Sequence, residues 1–450
     1  MRKSCLLLLR PLFSLTSFPH CGLICKASQL YISHQTSRAL SLTTSKSMGP
    51  TMEATRVLYE PIEDVERMEY YQAGGYHPVI IGDRFRNRYQ IVHKLSHGTY
   101  STIWLARDEI SNKYVAVKFC TADSNHSENN VLRKLSELSD IDKTMLPSIW
   151  DSKNEPLRCK ERIMGQPFQV EVARATAAQL VMAVQHIHSA GFVHGDLHRR
   201  NILLQLSRQF DQLSAEMLYE QYGELVLEPV NRLDGQKLPP GVPDYGVSPV
   251  WLGEASENVT LPEAKICVSD FGEAFPPAKE KRFKSRTPLL VRPPEARFRP
   301  NESLTFPSDI WTLACTIWDI IAQRSPFEGF LTNEDDMTRQ QIGLLGPLPA
   351  EWWRKWEAGR VEFTKRGEPI GRPKSVNQSW EDHFETSVQR PRIEEGMPPL
   401  ESRERDALLS MLRSMLSFRT EDRPSAQQVL ESEWMVKWAL PEFEKIHMVP

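Results

Sequence analysis

The stretch "FVHGDLHRRN" at residues 192–201 contains the side chains best suited to chemistry. Asp196 is followed five positions later by Asn201, in a loop that comes after a short apolar approach. Phosphoryl transfer uses this pairing, because the carboxylate can accept a hydroxyl proton while the asparagine holds a metal ion. Gly195 and His198 are the two residues of the loop that are unusual for phosphoryl transfer to proteins. Both also suit enzymes that phosphorylate small molecules. The motif therefore predicts phosphoryl transfer and leaves the class of acceptor open.

Three further residues fit the same chemistry at ordered positions along the chain. Lys118 ends the apolar run "VAVK", and Glu128 lies ten residues later near the start of a helical pattern. An ion pair between them would hold Lys118 toward the phosphates of a nucleotide. Asp270, in "SDFGEAF", is the second candidate metal ligand. Each signal is weak alone, but the four motifs in this order predict one phosphoryl-transfer site.

A turn between two strand-like runs supplies the expected cover for phosphates. The sequence "LSHGTYST" has Ser96, Gly98 and Ser101 where a GxGxxG loop has its three glycines. Small side chains at all three places still let the backbone approach phosphate oxygens. By itself the turn is a weak motif, since a single glycine in a hairpin is mostly turn chemistry.

Periodicity indicates the elements that must position these residues. Residues 88–95, 101–108 and 113–120 are β-branched or aromatic runs joined by short turns, which predicts three antiparallel strands. Helical spacing of apolar residues predicts helices over 127–138, 168–191, 307–322 and, in the tail, 404–418 and 425–434, and residues 264–275 read as a strand followed by a turn. The order predicts an α+β chain with a small strand-rich part, a larger helical part and a cleft between them.

Composition excludes several classes of protein. The chain has 450 residues, 40% of them apolar, and a formal charge of −3. Residues 1–52 hold six Lys/Arg and no acid, so the remainder has 49 basic and 58 acidic residues, a charge of −9. A nucleic-acid binder usually shows the opposite sign, so direct nucleic-acid binding is not expected. Seven scattered cysteines indicate reduced thiols, and the longest apolar runs are too short to span a membrane.

The first 52 residues are rich in Ser and free of acids, and their short apolar run is broken at Arg10 and Pro11. This composition is typical of a mitochondrial presequence. An unstructured leader is an equal alternative, and residues 1–60 are therefore left out of the predicted fold.

Beside these motifs, long stretches resemble the eukaryotic protein kinases, and in particular the fungal branch of the SR-protein kinase family. The resemblance is carried by "GGYHPVIIGDRFRNRYQIVHKLSHGTYSTIWLARD", "AAQLVMAVQHIHSAGFVHGDLHRRNILL", "SDIWTLACTIWDI", "FEGFL" and "DRPSAQQVLESEW". It covers about residues 66–438 apart from one gap. It implies a bilobal kinase-like fold with an antiparallel β-rich N-lobe (66–166), an α-helical C-lobe (167–440) with a short spacer insert at about 205–262, and a tail (441–450).

The same resemblance implies an activity and its partners. It implies a monomeric serine/threonine protein kinase that uses ATP and Mg²⁺, phosphorylates Arg-Ser-rich proteins and resides in cytoplasm and nucleus, with the mitochondrion as the alternative from the leader. It also implies that an activation segment ending at Glu295 works without loop phosphorylation, because Gly195 replaces the usual Arg.

The resemblance implies roles for individual residues, according to their positions in the kinase motifs. ATP contacts are expected from Leu95, Ser96, His97, Gly98, Thr99, Tyr100, Ser101, Ile103, Ala116, Lys118 and Glu128. The catalytic set is Asp196, Lys118 and His198, and the Mg²⁺ ligands are Asn201 and Asp270. Structural roles fall to Asp309 and to a Glu295–Arg423 pair, and Asp336 fits an acidic position for docking a basic substrate, whereas Gly343 does not.

One interval departs from the pattern. A kinase places two strands, a helix and the adenine-binding hinge between Leu138 and Phe168, which takes roughly 35 residues. Residues 139–167 supply 29 and show no hinge, so the N-lobe is predicted to be truncated there and its ATP affinity reduced. Two alternatives stay open: an inactive kinase-like scaffold, and a small-molecule phosphotransferase of the aminoglycoside or choline kinase type. The second is disfavoured by "RPPE", "SDIWTLAC" and "DRPSAQQVL".

Overall fold

A computed structural model describes residues 6–7, 57–124, 127–137, 145–146, 162–163, 167–322, 324–364, 370 and 379–446. The strands are β1 Leu6–Leu7, β2 Arg84–Phe85, β3 Tyr89–Gly98, β4 Ser101–Asp108, β5 Lys113–Cys120, β6 Arg162–Ile163, β7 Ile202–Leu204, β8 Leu227–Pro229, β9 Tyr245–Val247, β10 Glu254–Ala255 and β11 Ile266–Val268. The α-helices are α1 Ser127–Glu137, α2 Val170–Ser189, α3 Ala215–Tyr222, α4 Glu295–Phe298, α5 Phe306–Ala322, α6 Glu334–Leu345, α7 Ala350–Lys355, α8 Gly359–Glu362, α9 Trp380–Phe384, α10 Arg390–Glu394, α11 Ser402–Met415, α12 Ala426–Leu430 and α13 Leu440–Ile446.

The small lobe is an antiparallel sheet in the order β1-β5-β4-β3-β2. Strand alternation assigns its two faces, because successive side chains point to opposite sides. In β5, Val115, Val117 and Phe119 join the apolar cluster on one face, whereas Tyr114 and Ala116 join the core that includes α1 and the large lobe. Lys118 follows the second pattern, so the sequence sends it toward the large lobe.

The large lobe is organised around α2 and α5. Every residue of α5 from Ser308 to Ala322 is buried, and most of α2 is buried beside it. A helix that is apolar on nearly all sides belongs in a core, as the sequence predicts for residues 307–322. The polar residues Ser308 and Asp309 lie in the first turn of α5, where Asp309 faces the loop that holds Asp196 and the hydroxyl of Ser308 donates to Glu295 at 3.2 Å.

The insert between Asn201 and Asp270 packs onto the small lobe. The amide of Val250 donates to the carbonyl of Lys94 in β3 at 2.9 Å, and Tyr114 N in β5 donates to Asp211 Oδ1 at 2.9 Å. β8 and β9 pair as an antiparallel hairpin, and Val247 of that hairpin joins the apolar cluster on the outer face of the sheet. The insert is therefore part of the packing of the small lobe.

The predicted boundary at residue 60 is wrong. Tyr59 is buried, Glu60 N donates to Asn231 O at 3.0 Å, and Leu233 N donates to Leu58 O at 2.9 Å. These bonds align residues 58–60 with the insert, so the fold includes residues 57–60. The aromatic ring of Tyr59 needs an apolar partner, and the insert supplies one at Val230.

The remaining element predictions compare directly with the structure. The three predicted strands appear as β3, β4 and β5, and the predicted helices as α1, α2, α5, α11 and α12. Most of the interval expected to lack a hinge, and the leader apart from Leu6–Leu7, lie outside the described residues. Within that interval, β6 pairs in parallel with β10 of the insert. The described helices include none with the length and apolar character needed to cross a membrane.

Candidate active site

A two-stranded antiparallel ladder brings the candidate metal ligands to one place. β7 pairs with β11 in the register Ile202 to Val268, so Asn201, just before β7, and Asp270, just after β11, lie at the same end. Ser269 fixes this end, since its backbone N–H donates to Asn201 O at 2.8 Å and its hydroxyl donates at 3.0 Å. Residues nearly seventy positions apart are thus held as neighbours.

Lys118 lies between two carboxylates. Its Nζ is 2.9 Å from Glu128 Oε2 and 3.2 Å from Asp270 Oδ1. The other oxygen of Glu128 accepts the backbone N–H of Phe271 at 3.2 Å, so this buried carboxylate connects β5 to the turn that carries Asp270. The predicted Lys118–Glu128 ion pair is present, and the contacts to Asp270 and Phe271 add to it.

The charges of this triad stabilise one another. Burial disfavours the ammonium of Lys118, but Glu128 and Asp270 outweigh it and raise the pKa of Lys118. Lys118 in turn lowers the pKa of Asp270, with a smaller contribution from His194. Asp270 has a left-handed backbone with φ 61° and a side chain that is 49% exposed. The site therefore holds a permanent cation beside an accessible carboxylate.

The second loop brings together Asp196, His198 and Asn201. Asn201 Nδ2 donates to Asp196 O at 2.8 Å and lies 3.3 Å from His198 Nε2, which is 3.5 Å from Asp196 Oδ1. The amide nitrogen of Asn201 is thus used within the loop, and its oxygen has no donor among the described residues. Asp196 Oδ1 is buried and has no hydrogen-bond partner in the described part of the chain.

Asp309 holds this loop from the buried helix α5. Its carboxylate accepts the backbone N–H groups of His194 at 2.7 Å and Gly195 at 3.0 Å, and His188 Nε2 donates to it at 3.0 Å. Burial alone would raise the pKa of Asp309, but His188 and the other donors lower it. Asp309 thus holds the backbone of the Asp196 loop from α5.

His194 supports the same loop from within. Its Nε2 donates to Ser269 O at 3.1 Å, and its Nδ1 accepts Asp196 N at 3.3 Å. The ring also packs on Phe271 with centroids 4.8 Å apart. His194 therefore connects the Asp196 loop to the Asp270 turn.

A protein kinase domain model matches residues 89–214, a span that contains Lys118, Glu128, Asp196 and Asn201. This chain carries a protein kinase domain. A serine/threonine protein kinase of Aspergillus fumigatus is 24% identical over 436 residues, 90% of this chain and 98% of the relative. The serine/threonine-protein kinase SRPK of Physarum polycephalum is 24% identical and covers 82% of this chain and 91% of its own length. The protein kinase dsk1 of Schizosaccharomyces pombe is 29% identical over 31% of this chain and 30% of its own.

These similarities confirm two predictions from the sequence. The chain is a protein kinase of the serine/threonine class, and its relatives include SR-protein kinases. The α+β bilobal fold is confirmed as well, since the antiparallel small lobe and the helical large lobe carry the kinase motifs at the expected places.

The glycine-hairpin residues of the kinase lie together at one end of the sheet. β3 and β4 pair in the register Ser96 to Ile103 and Gly98 to Ser101, which leaves Thr99 and Tyr100 as a two-residue turn. His97 is half-buried, and the turn itself is exposed. Leu95 and Ala116 are buried, and Ile103 pairs with Lys118 across β4 and β5.

Glu295 and Arg423 form a buried bidentate pair at the end of the activation segment. Arg423 Nη1 and Nη2 donate to Glu295 Oε1 and Oε2 at 2.9 and 2.7 Å. Arg423 also donates to the carbonyls of Ser417 and Pro307, both at 2.8 Å. This pair ties the segment to the C-terminal helices.

Asp336, the predicted docking residue, lies in the first turn of α6. Its carboxylate accepts the backbone N–H of Asn333 at 3.2 Å in a capping box, and it pairs with Arg339 three residues on. Neighbouring Asp335 accepts Trp356 Nε1 at 2.7 Å and pairs with Arg297. Both carboxylates cap or brace the start of α6, and the side chain of Asp336 is 38% exposed. Its docking of a basic substrate stays a prediction.

Sequence reasoning missed three contacts of the site. His188, near the end of α2, donates to Asp309. Glu128 was expected to pair with Lys118 alone, yet it also accepts Phe271 N. Tyr76 donates its hydroxyl to Gly98 O in the hairpin turn at 2.6 Å. No local spacing indicates these contacts, because each joins segments far apart in sequence.

Proposed function

We propose that the protein transfers the terminal phosphoryl group of Mg²⁺-bound ATP to serine or threonine hydroxyls of Arg-Ser-rich proteins. The observation that carries the proposal is the position of Lys118 within 3.2 Å of both Glu128 and Asp270. A cation held this way meets the α- and β-phosphates of a nucleotide, while Asp270 remains accessible to a metal ion.

The polar residues fit Mg²⁺ and phosphate. Magnesium prefers oxygen ligands, and the site offers the half-exposed carboxylate of Asp270 and the amide oxygen of Asn201. Bound Mg²⁺ would neutralise charge that develops on the phosphates. Lys118 would bind the α- and β-phosphates, and Glu128 would keep it oriented.

Asp196 would act as the proton acceptor. Its Oδ1 has no hydrogen-bond donor among the described residues, and the backbone around it is fixed by Asn201 and His194. As the substrate hydroxyl oxygen bonds to phosphorus, its proton passes to the Asp196 carboxylate and ADP leaves. His198, 3.5 Å from that carboxylate, would contact the transferred phosphoryl group.

The preference for Arg-Ser-rich substrates is supported by the SR-protein kinases among the relatives and by the charge of −9 outside the first 52 residues. One feature of the structure favours a second candidate, a kinase for acceptors flanked by acidic residues. Residues 279–286 of the activation segment hold five basic residues and one acid, a net charge of +4. Lys284 has no ion-pair partner among the described residues, and Arg286, whose side chain is 67% exposed, lies 4.0 Å from Glu273 Oε1. Such a surface attracts acidic peptides.

One assay separates these possibilities. The full chain is incubated with radiolabelled ATP and Mg²⁺ and with two peptides that share a Ser acceptor, one flanked by Arg and one by Glu. The proposal expects incorporation into the Arg-flanked peptide that falls about 100-fold or more in Asp196→Asn. Faster incorporation into the Glu-flanked peptide would establish the second candidate. Equal background for wild type and Asp196→Asn would instead identify an inactive scaffold.

A second arm tests the small-molecule alternative. Choline and an aminoglycoside are offered as acceptors under the same conditions. The kinase proposal expects no label in either compound and no competition with the peptide.

By the same family similarity we place the protein in the cytoplasm and nucleus. A carboxy-terminal fluorescent fusion that colocalises with mitochondria would overturn that placement and would support the alternative that the leader is a mitochondrial presequence.

A further inference from the structure

The segment that precedes the sheet contacts the turn proposed to cover the phosphates. We call residues 57–76 the N-terminal strap. The hydroxyl of its last residue, Tyr76, donates to Gly98 O at 2.6 Å. The Tyr76 hydroxyl oxygen also lies 3.3 Å from Thr99 O. Gly98 and Thr99 are exposed and form the tip of the hairpin between β3 and β4. A buried phenol thus bonds to the backbone of an exposed turn.

Tyr76 is held rigidly enough to act on the turn. It is 6% exposed and lies between Tyr70, with ring centroids 6.1 Å apart, and Tyr71, at 5.5 Å. Burial and the nearby carboxylate of Glu66 raise the pKa of Tyr76, so its hydroxyl remains protonated and able to donate.

Two further attachments fix the strap on the small lobe, one of them on the hairpin. Glu66 forms a buried ion pair with Lys94 of β3, and it also accepts the Tyr71 hydroxyl at 2.5 Å. Just after the strand that carries Lys118, Ala122 N donates to Gly75 O at 3.2 Å. A side chain at Gly75 would lie 1.9 Å from Tyr70 O, so only glycine allows this approach.

The insert holds the strap from its other end. Residues 58–60 hydrogen-bond to residues 231–233, and Val230 packs in one apolar cluster with Tyr59, Tyr71 and Tyr76. The strap therefore lies between the insert and the hairpin, with polar anchors to the hairpin at Glu66 and Tyr76.

We infer that Tyr76 is a positioning residue for nucleotide binding, which rests on the proposed use of ATP. A trans peptide is planar, so fixing the Gly98 carbonyl on Tyr76 also fixes the Thr99 N–H on the opposite side. The hairpin keeps glycine at only one of three usual places, and Tyr76 restrains that one. The strap thus orders the turn before the nucleotide arrives, and binding does not have to supply that order.

The chain offers a matched pair of substitutions. Tyr76→Phe removes the hydroxyl that bonds to Gly98 and keeps the ring. Tyr70→Phe removes a hydroxyl that makes no hydrogen bond among the described residues, in the same aromatic cluster. For Tyr76→Phe we expect the KM for ATP to rise about 3- to 10-fold, the worth of one hydrogen bond. The kcat at saturating ATP and the KM for the peptide should stay unchanged, and Tyr70→Phe should match wild type in all three.

A nucleotide-free measurement separates this inference from the proposed function. Hydrogen exchange of the amides over residues 96–101 should quicken several-fold in Tyr76→Phe and not in Tyr70→Phe. Unchanged exchange in Tyr76→Phe would overturn the inference whether or not the protein binds ATP. Quickened exchange with an unchanged KM for ATP would overturn it too, since the turn would then be restrained without consequence for the nucleotide. If the wild type does not bind ATP but exchange still quickens in Tyr76→Phe, the proposed function is wrong, whereas the role of Tyr76 in ordering the turn is retained.

Discussion

Gly195, the residue before the candidate proton acceptor, allows a test of how closely the catalytic loop is packed. Its φ is +79°, and a Cβ there would lie 2.7 Å from the carbonyl oxygen of Glu273 in the activation segment. Gly191 has almost the same φ, +81°, but a Cβ there would meet nothing within 4 Å. Alanine at each position therefore shares the backbone penalty and differs in the clash.

The magnitudes follow from this difference. A left-handed backbone costs a non-glycine residue about 1–2 kcal/mol, which is the expected loss for Gly191→Ala. At Gly195 the Glu273 carbonyl must also withdraw by 0.3 Å to reach 3.0 Å, or by 0.7 Å to reach ordinary contact at 3.4 Å. Overpacking of this kind adds about 1–3 kcal/mol. We therefore expect Gly195→Ala to lower the free energy of unfolding by about 2–5 kcal/mol in all.

Urea unfolding of the two variants and wild type gives the free energies, and peptide phosphorylation gives kcat. Moving Glu273 disturbs the turn after Asp270, so kcat should fall in Gly195→Ala and stay near wild type in Gly191→Ala. Equal losses of stability in the two variants would refute the reasoning, because the carbonyl of Glu273 would then not restrict residue 195.

Three other predictions concern charge and modification. Arg423→Ala leaves Glu295 buried without its partner and should lower the free energy of unfolding by about 3–5 kcal/mol. The control Lys437→Ala breaks an exposed pair and should lower it by less than about 1 kcal/mol. Urea unfolding that gives similar losses for the two variants would contradict this. Burial lowers the pKa of His93 from 6.5 to about 4. As the pH falls below 6.5, His93 therefore takes up a proton in the unfolded chain before it does so in the folded protein. The folded state is then less stable at pH 4 than above pH 6.5. That loss approaches roughly 3 kcal/mol and should be absent in His93→Leu when the free energy of unfolding is measured across this range. Phosphatase treatment should leave kcat unchanged, as the absence of Arg at position 195 predicts, and abolished turnover would reject that interpretation.

Gly195 has two compatible explanations. The sequence comparison with kinases that carry Arg there predicts an activation segment that needs no phosphate. The structure adds a backbone reason, since any side chain at this φ would press on the Glu273 carbonyl. Arg282 supports the same region, because it donates to Glu273 O at 3.0 Å and to its carboxylate at 2.7 Å. Glycine at 195 therefore fits both how this segment is held and how it is regulated.

Strong local patterns account for the parts of the fold that the sequence predicts well. Alternation in residues 113–120 and the turn residues before them determine both the strands and the direction of Lys118. The buried helix α5 follows from its continuous apolar run. The pairs Lys118–Glu128 and Glu295–Arg423 were predictable because each residue lies in a motif with a known spacing, and the structure brings both pairs together.

Contacts made by segments without periodicity could not be predicted. The strap has no regular pattern, so neither Tyr76 on Gly98 nor Glu66 on Lys94 leaves a local signal. Asp336 has a local structural role that its sequence context does indicate. Asn333 three residues before it forms a capping box with it, and this spacing at a helix start explains the acidic residue without any substrate.

The insert and the strap explain how so small a sheet is stabilised. Three long strands and one helix bury little apolar surface by themselves, and sheets of this size depend on additional packing. The insert supplies it on both faces, since Val247 joins the outer cluster and Val250 joins the core that includes α1. The strap then closes over the hairpin at Glu66 and Tyr76. Because the insert follows the catalytic loop directly, the segment that carries Asn201 continues into the packing of the lobe that carries Lys118. The insert therefore connects the two halves of the candidate site, by chain continuity at Asn201 and by packing on the small lobe.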